Sequence, residues 1–284
     1  MIKILATLGL VGVTAAAVTP DGATLSDTTR KAFQRYIEKV EAAADAHGNG
    51  SQPFLWADGS KERLQRLRGG AVVIERSSGS KPAKVEGGLI HDWIGAVHIP
   101  GVTLAQTLAL VQDYDRHKTI YPEVIDSKLK SREGDHFVIF LKLKKKKVIE
   151  VVLNTTHEVQ YSRVDATRVR SWSRTTRVVE VDDAGTPHER EKPPGSESGF
   201  MWCLNSYWRF AERDGGVYVE CRAVSLSRDL PLVLRLLPFV PGVINDLPRE
   251  SLEGTLTATR DALLKARRAA PTGAAQARPF PQVK

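Results

Sequence analysis

The sequence predicts an α+β protein: an antiparallel sheet that packs on a long C-terminal helix, with an extra helical segment ahead of both. Three observations predict it. Short alternating apolar and polar runs, separated by turn residues, fill most of 124 to 228. Residues 249 to 266 place Leu252, Leu256, Thr259, Leu263 and Ala266 at helical spacing. Phe33, Tyr36, Ile37, Val40 and Ala44 do the same in a helix expected from Thr28 to Ala46, with Ser26 or Asp27 as its cap. One apolar sheet face and one terminal apolar stripe bury each other.

In chain order, residues 1 to 17, MIKILATLGLVGVTAAA, read as a signal peptide: one lysine, an apolar run from Ile4 to Val13, and an Ala15-x-Ala17 site. That run is too short to span about 30 Å of hydrocarbon, so an exported chain starting near Val18, periplasmic or secreted, is expected. Residues 18 to 79 form an N-terminal helical extension, in which SKERLQRLRGG leads into the strand AVVIE. Gly88 to Ile99 is a strand closed by Pro100-Gly101. Thr103 then caps a helix to Gln112 with Leu104, Thr107, Leu108 and Val111 in period. Strands follow at 124 to 131, 136 to 144, 147 to 161, 167 to 181, 199 to 212 and 217 to 228, an antiparallel meander. On the third, Ile149, Val151, Leu153, Thr155, Val159 and Tyr161 share one face, opposite Glu150, Asn154, Glu158 and Gln160. The polar stretch 182 to 198 is expected to be a mobile loop rather than a site. Residues 228 to 251 are apolar and broken by Pro231, Pro238, Pro241 and Pro248, so neither a strand nor a long helix is expected there. Residues 267 to 284 should be a flexible tail.

The hairpin LNSYWRFAERDGGVYVECRAVSL, 204 to 226, turns at Asp214-Gly215, which fixes its pairs. One face holds Trp202, Leu204, Ser206, Trp208 and Phe210 against Val219, Cys221, Ala223, Ser225 and Ser227, large opposite small. The other sets Tyr207 opposite Arg222 and Arg209 opposite Glu220. Such a charged pair on a wet sheet face contributes about 0.2 to 1 kcal/mol, so this face is expected to meet water. Cys203 and Cys221 fall on opposite faces and about five positions out of register, so two free thiols are expected.

The net charge of +8 permits anionic partners. The basic residues are spread along the chain without a binding motif, which argues against nucleic acid. Lys142 and Lys144 to Lys147 form the one dense cluster, at a hairpin tip. It is read as a solvated turn, or as a contact for anionic lipid headgroups at about 1 kcal/mol per lysine. The seven histidines show no ligand-pair spacing, so no metal site and no cofactor is expected.

The order strand, short helices, six antiparallel strands and long helix is that of the helix-grip fold. From about Gly87 to Ala266 the chain resembles the START-like, or SRPBCC, superfamily of polyketide cyclase-like and coenzyme Q-binding-like proteins. LIHDWIGAVHIPGVTLAQTLALVQDYDRHKTIYPEVIDSKL (89 to 129), NSYWRF (205 to 210) and PRESLEGTLTATRDALL (248 to 264) carry the resemblance, and 80 to 266 are taken as that domain. It implies a curved sheet wrapped around the last helix over an apolar cavity for a lipid, quinone or polyketide. Trp202, Leu204, Ser206, Trp208, Phe210, Val219, Cys221, Ala223 and Ser225 would be wall, and Leu252, Leu256, Thr259 and Leu263 would close it. Leu232, Leu236, Leu237, Phe239 and Val240, in the proline-broken segment, would be a gate, with membrane contact through Leu230 to Leu247 and Lys144 to Lys147.

Three functions fit this reading. The first is a non-catalytic carrier of a hydrophobic small molecule. The second is a cyclase or aromatase that needs an acid or base in the cavity, for which His157, Tyr161, Asp92 and His91 are the candidates. The third is a protein-interaction module, which requires a filled core.

Overall fold

A computed structural model describes residues 25–48, 53–77, 79, 81–146, 150–229 and 240–269, the side chains of 45–48 and 240–245 excepted. Its helices are α1 (Asp27–Gly48), α2 (Lys61–Arg68), α3 (Leu104–Val111), α4 (His117–Ile120) and α5 (Val240–Ala269). Its strands are β1 (Val73–Arg76), β2 (Ala83–Val85), β3 (Gly88–Pro100), β4 (Val124–Glu133), β5 (His136–Lys146), β6 (Glu150–Arg163), β7 (Arg168–Asp182), β8 (Arg190–Glu191), β9 (Cys203–Arg213) and β10 (Gly216–Arg228).

The strands form one antiparallel sheet in the order β1-β3-β10-β9-β7-β6-β5-β4, with β2 also on β3 and β8 on β7. Register breaks in the β4/β5 and β6/β7 pairs add local twist, and the sheet curves around α5. The hairpin pairs as expected, Arg209 with Glu220 and Tyr207 with Arg222. Asp214 at φ 55° and Gly215 at φ 69° supply the two positive dihedrals of a type I′ turn. Ser26 accepts from the Thr29 N–H at 3.1 Å to cap α1, and Thr103 with Gln106 forms a capping box on α3. Both cysteines are free.

Helix α5 packs tightly on the sheet at Gly95 of β3, where an added Cβ would come within 2.9 Å of Leu256 Cδ1. Around this contact Val97, Ile99, Leu104, Phe137, Phe210, Val219, Leu256 and Leu263 form a packed core that closes one end of the sheet's concave side.

The convex side departs from expectation. Its charges do not meet water, because α1, the 3₁₀ turn Trp56–Gly59 and α2 cover that part of the sheet. Glu220 is 1% exposed, accepting from Arg209 Nη1 at 3.1 Å and from the Ala57 N–H at 3.2 Å. Arg222 forks onto Asp92 at 2.9 and 2.6 Å, and the Tyr36 hydroxyl donates to the same carboxylate at 2.8 Å. Glu41 of α1 accepts from the Tyr207 hydroxyl at 2.8 Å and from Arg174 at 2.6 Å. Alternation assigns a residue to a face, but what covers the face is decided by segments far away in the chain.

Three other expectations change. The stretch 182 to 198 is tied down: β8 pairs with β7, and buried Glu180 accepts from Lys192 Nζ at 2.9 Å and from the N–H groups of Ser198 and Phe200. Residues 240–251 are helical despite Pro241 and Pro248, the first of which sits in the opening turn, where no N–H is needed. At the other end α5 runs to Ala269, so 267–269 are helix rather than tail. The signal segment, residues 270–284, Lys147, and Leu230 to Phe239 lie outside the described residues.

Candidate functional site

Between the concave sheet and α5 lies a cavity of about 800 Å³. Strands β5, β6, β9 and β10 supply its wall through Ile139, Leu141, Leu143, Leu153, Val159, Trp208, Cys221 and Ala223, and β7 through Ser171 and Ser173; α5 supplies Leu247, Leu252 and Thr255. These are alternate residues of each strand, which is how a curved sheet turns a row of side chains into a concave wall. The closed end is made by Tyr114 and Tyr161, next to the packed core. Every charged lining residue, Glu123, Lys145, Arg228 and Asp229, sits at the other end, together with Ser198 to Met201. Lys145 contacts both Glu123 and Ser251 there, a charged link from sheet to helix.

The interior polar groups are neutral. Burial lowers the pKa of His157, His117 and His91 to about 4, so all three imidazoles are uncharged at neutral pH. The Thr155 hydroxyl donates to the Leu141 carbonyl at 3.0 Å, so it accepts from His157 Nε2 at 2.9 Å, which leaves Nδ1 to accept from Ser173 at 3.4 Å. Both nitrogens of His157 are therefore engaged. His117 Nε2 meets the Val111 carbonyl at 3.1 Å. Burial also pushes the Tyr121 phenol up to about 12 and raises that of Tyr161 well above its ordinary value, so both remain protonated. The Cys221 thiol is raised in the same way, which removes it as a nucleophile.

Several expected wall residues do line the cavity: Leu204, Ser206, Trp208, Cys221, Ala223, Ser225 and Leu252. Others do not. Phe210, Val219, Leu256 and Leu263 fill the solid core beyond the closed end. Thr259 is fully buried; its hydroxyl donates to the Thr255 carbonyl at 2.8 Å and so accepts from the Tyr121 hydroxyl at 3.3 Å. Trp202 precedes β9, so strand parity does not reach it, and it packs on the convex side with the Phe33 and Ile37 cluster. Among the candidate acids and bases, His157, Tyr161 and His91 line the cavity, whereas Asp92 is on the convex face in its ion pair with Arg222. The gate residues Leu232, Leu236, Leu237 and Phe239 lie outside the described residues, as does the side chain of Val240.

Sequence reading missed Tyr114, His117 and Tyr121, although with Val111 they continue the helical spacing of α3 through a 3₁₀ turn and α4. It also missed Ser171 and Ser173, small residues at alternate positions of β7, and the mouth residues Ser198 to Met201.

A curved antiparallel sheet gripping a C-terminal helix over a cavity is the START-like, helix-grip architecture. The fold is START-like. No protein-family model and no curated protein matches the sequence. Among solved structures, the chain is similar to a STAR-related lipid transfer protein from Xanthomonas axonopodis (14% identity, 65% of this chain and 98% of that one, TM-score 0.45). It is also similar to the Zhui aromatase/cyclase from Streptomyces sp. R1128 (11%, 64% and 98%, TM-score 0.46) and to human STARD10 (8%, 74% and 83%, TM-score 0.41).

Proposed function

We propose that this protein is an exported, non-catalytic carrier that holds one hydrophobic small molecule between its sheet and α5. The observation that carries the reading is the cavity: about 800 Å³, walled mainly by apolar side chains, with neutral polar groups inside and charges only at its mouth. Pockets that bury a drug-sized ligand have this size and composition. A filled core, which the interaction-module reading requires, is at odds with that volume. The cyclase reading is weakened by its base: an imidazole with a pKa near 4 and both nitrogens engaged accepts a proton poorly at neutral pH. Export is proposed from residues 1 to 17 alone, with peripheral membrane contact as a route for the cargo. The lysine tip contributes less to such contact than its charge suggests, since Lys144 and Lys146 face Glu150, and Lys145 faces Glu123.

The test is native mass spectrometry of the chain purified without detergent from its own envelope, with N-terminal sequencing of the same sample. A mature start at Val18 and a stoichiometric neutral lipophile are expected. A bare chain mass from freshly isolated protein, or a protein still carrying Met1, would contradict the carrier and the export readings respectively.

A further inference from the structure

The proton inventory of the cavity narrows the cargo. Tyr114 and Tyr161 are joined hydroxyl to hydroxyl at 3.1 Å. Two hydroxyls sharing one hydrogen bond hold one more proton than the bond uses, whichever of them donates. Tyr161 also interacts with the Ser171 hydroxyl on the neighbouring strand, which can accept its proton. The three hydroxyls hold one more proton than two hydrogen bonds use, and none of them bonds a carbonyl or carboxylate among the described residues, so one O–H of the three is left without a protein acceptor. Towards the mouth, Ser206 accepts from the Trp208 indole N–H at 3.1 Å, and its own proton meets no acceptor among the described residues. Two register positions further, the Ser225 hydroxyl likewise has no partner among the described residues. The His157 group is different in kind, because Thr155, His157 and Ser173 use one another's donors and acceptors to satisfy the ring.

From this inventory, and resting on the carrier reading, we infer that the hydroxyl group of Tyr114, Tyr161 and Ser171 is a subsite for an uncharged oxygen acceptor. The cargo is a carbonyl-bearing lipophile held with its carbonyl end inward, and Ser206 and Ser225 offer further donors along its length. An unmet donor in an apolar enclosure costs free energy until a ligand oxygen takes its hydrogen bond, so the site prefers a ketone or quinone to a hydrocarbon of the same outline. It also disfavours a carboxylate at the closed end, where no cation lines the cavity among the described residues and Arg132, stacked behind Phe137, acts on Tyr114 only at a distance.

Three rigid probes of one outline test this by equilibrium dialysis at neutral pH: 9,10-anthraquinone, anthracene and 9,10-anthraquinone-2-carboxylate. The quinone is expected to bind about tenfold more tightly than anthracene, with the carboxylate weaker than the quinone by at least about the same factor. In the double variant Tyr114→Phe/Tyr161→Phe the quinone's advantage should fall by about three- to tenfold while anthracene binding stays level. Ser206→Ala, which removes one hydroxyl from a half-buried position, provides a second reading should the double variant fold poorly, and it should trim the same advantage by a smaller factor. Equal binding of quinone and anthracene by the unaltered chain would overturn the inference and leave the carrier reading standing. So would an advantage that survives both variants. Failure of all three probes to bind would sink the carrier reading and this inference together.

Discussion

Arg222 and Asp92 show what a single charge does in this protein. The Asp92 side chain is fully buried, and Arg222 is its forked partner. Arg222→Leu is expected to cost about 3 to 5 kcal/mol in urea unfolding, because it strands a carboxylate under α1. The double change Asp92→Leu/Arg222→Leu should recover most of that loss, since no uncompensated charge remains. Equal losses in both variants would mean that the pair itself, rather than the stranded charge, is the stabilising element. The three cavity-lining histidines make a second residue-scale prediction. Unfolded, each titrates near 6.5; folded, near 4. The folded value is the lower one, so as pH falls below about 6.5 the unfolded chain takes up protons first and stability is lost. The loss continues down to about pH 4 and then levels off. Each histidine accounts for about 3 kcal/mol across that window, which together is comparable to a domain's whole stability. Urea midpoints measured from pH 7.5 to 4 should drop steeply, and a flat profile would show that these rings are hydrated.

At the scale of elements, α5 makes a tight approach to β3 at Gly95. A methyl group there meets Leu256 Cδ1 at 2.9 Å, Ile74 Cγ1 at 3.0 Å and the Val73 carbonyl at 3.2 Å. Gly95→Ala therefore lifts the helix or displaces β1, with an expected cost of about 1 to 3 kcal/mol by calorimetry. Hydrogen exchange in α5 should rise in the same variant, and unchanged exchange would place the strain in β1 instead. Most elements were legible in the sequence because each depends on local period: α1, α2, α3 and nearly every strand lie within a few residues of expectation. The misses have local causes too. The 3₁₀ turn and α4 are too short to show a period of their own, and the prolines of 240–251 hid a helix whose burial comes from the sheet.

For the whole molecule, the cavity is the property that matters, and its volume can be tested by filling it. Ala223 lines the wall midway along β10. Ala223→Phe is expected to abolish cargo retention in native mass spectra while leaving thermal stability within a few degrees, since the ring enters open space. A loss of several degrees with retention intact would mean that the position is packed core. The site was only partly legible beforehand. The parity of β9 and β10 placed Leu204, Ser206, Trp208, Cys221, Ala223 and Ser225 on the right face, but parity cannot distinguish wall from filling. Phe210 and Val219 share that face and lie beyond the cavity, where the core packs solid.

The sequence by itself determined the elements, the hairpin register, the free thiols and the inward face of the sheet, because each follows from interactions between residues near in the chain or set by one turn. Only the tertiary structure decided that the charged face is covered, that Asp92 belongs to an ion pair and His157 to a closed hydrogen-bonded group, and where the wall becomes core. Those outcomes depend on how far α5 and α1 stand from the sheet, a distance set by side chains that meet from opposite ends of the chain.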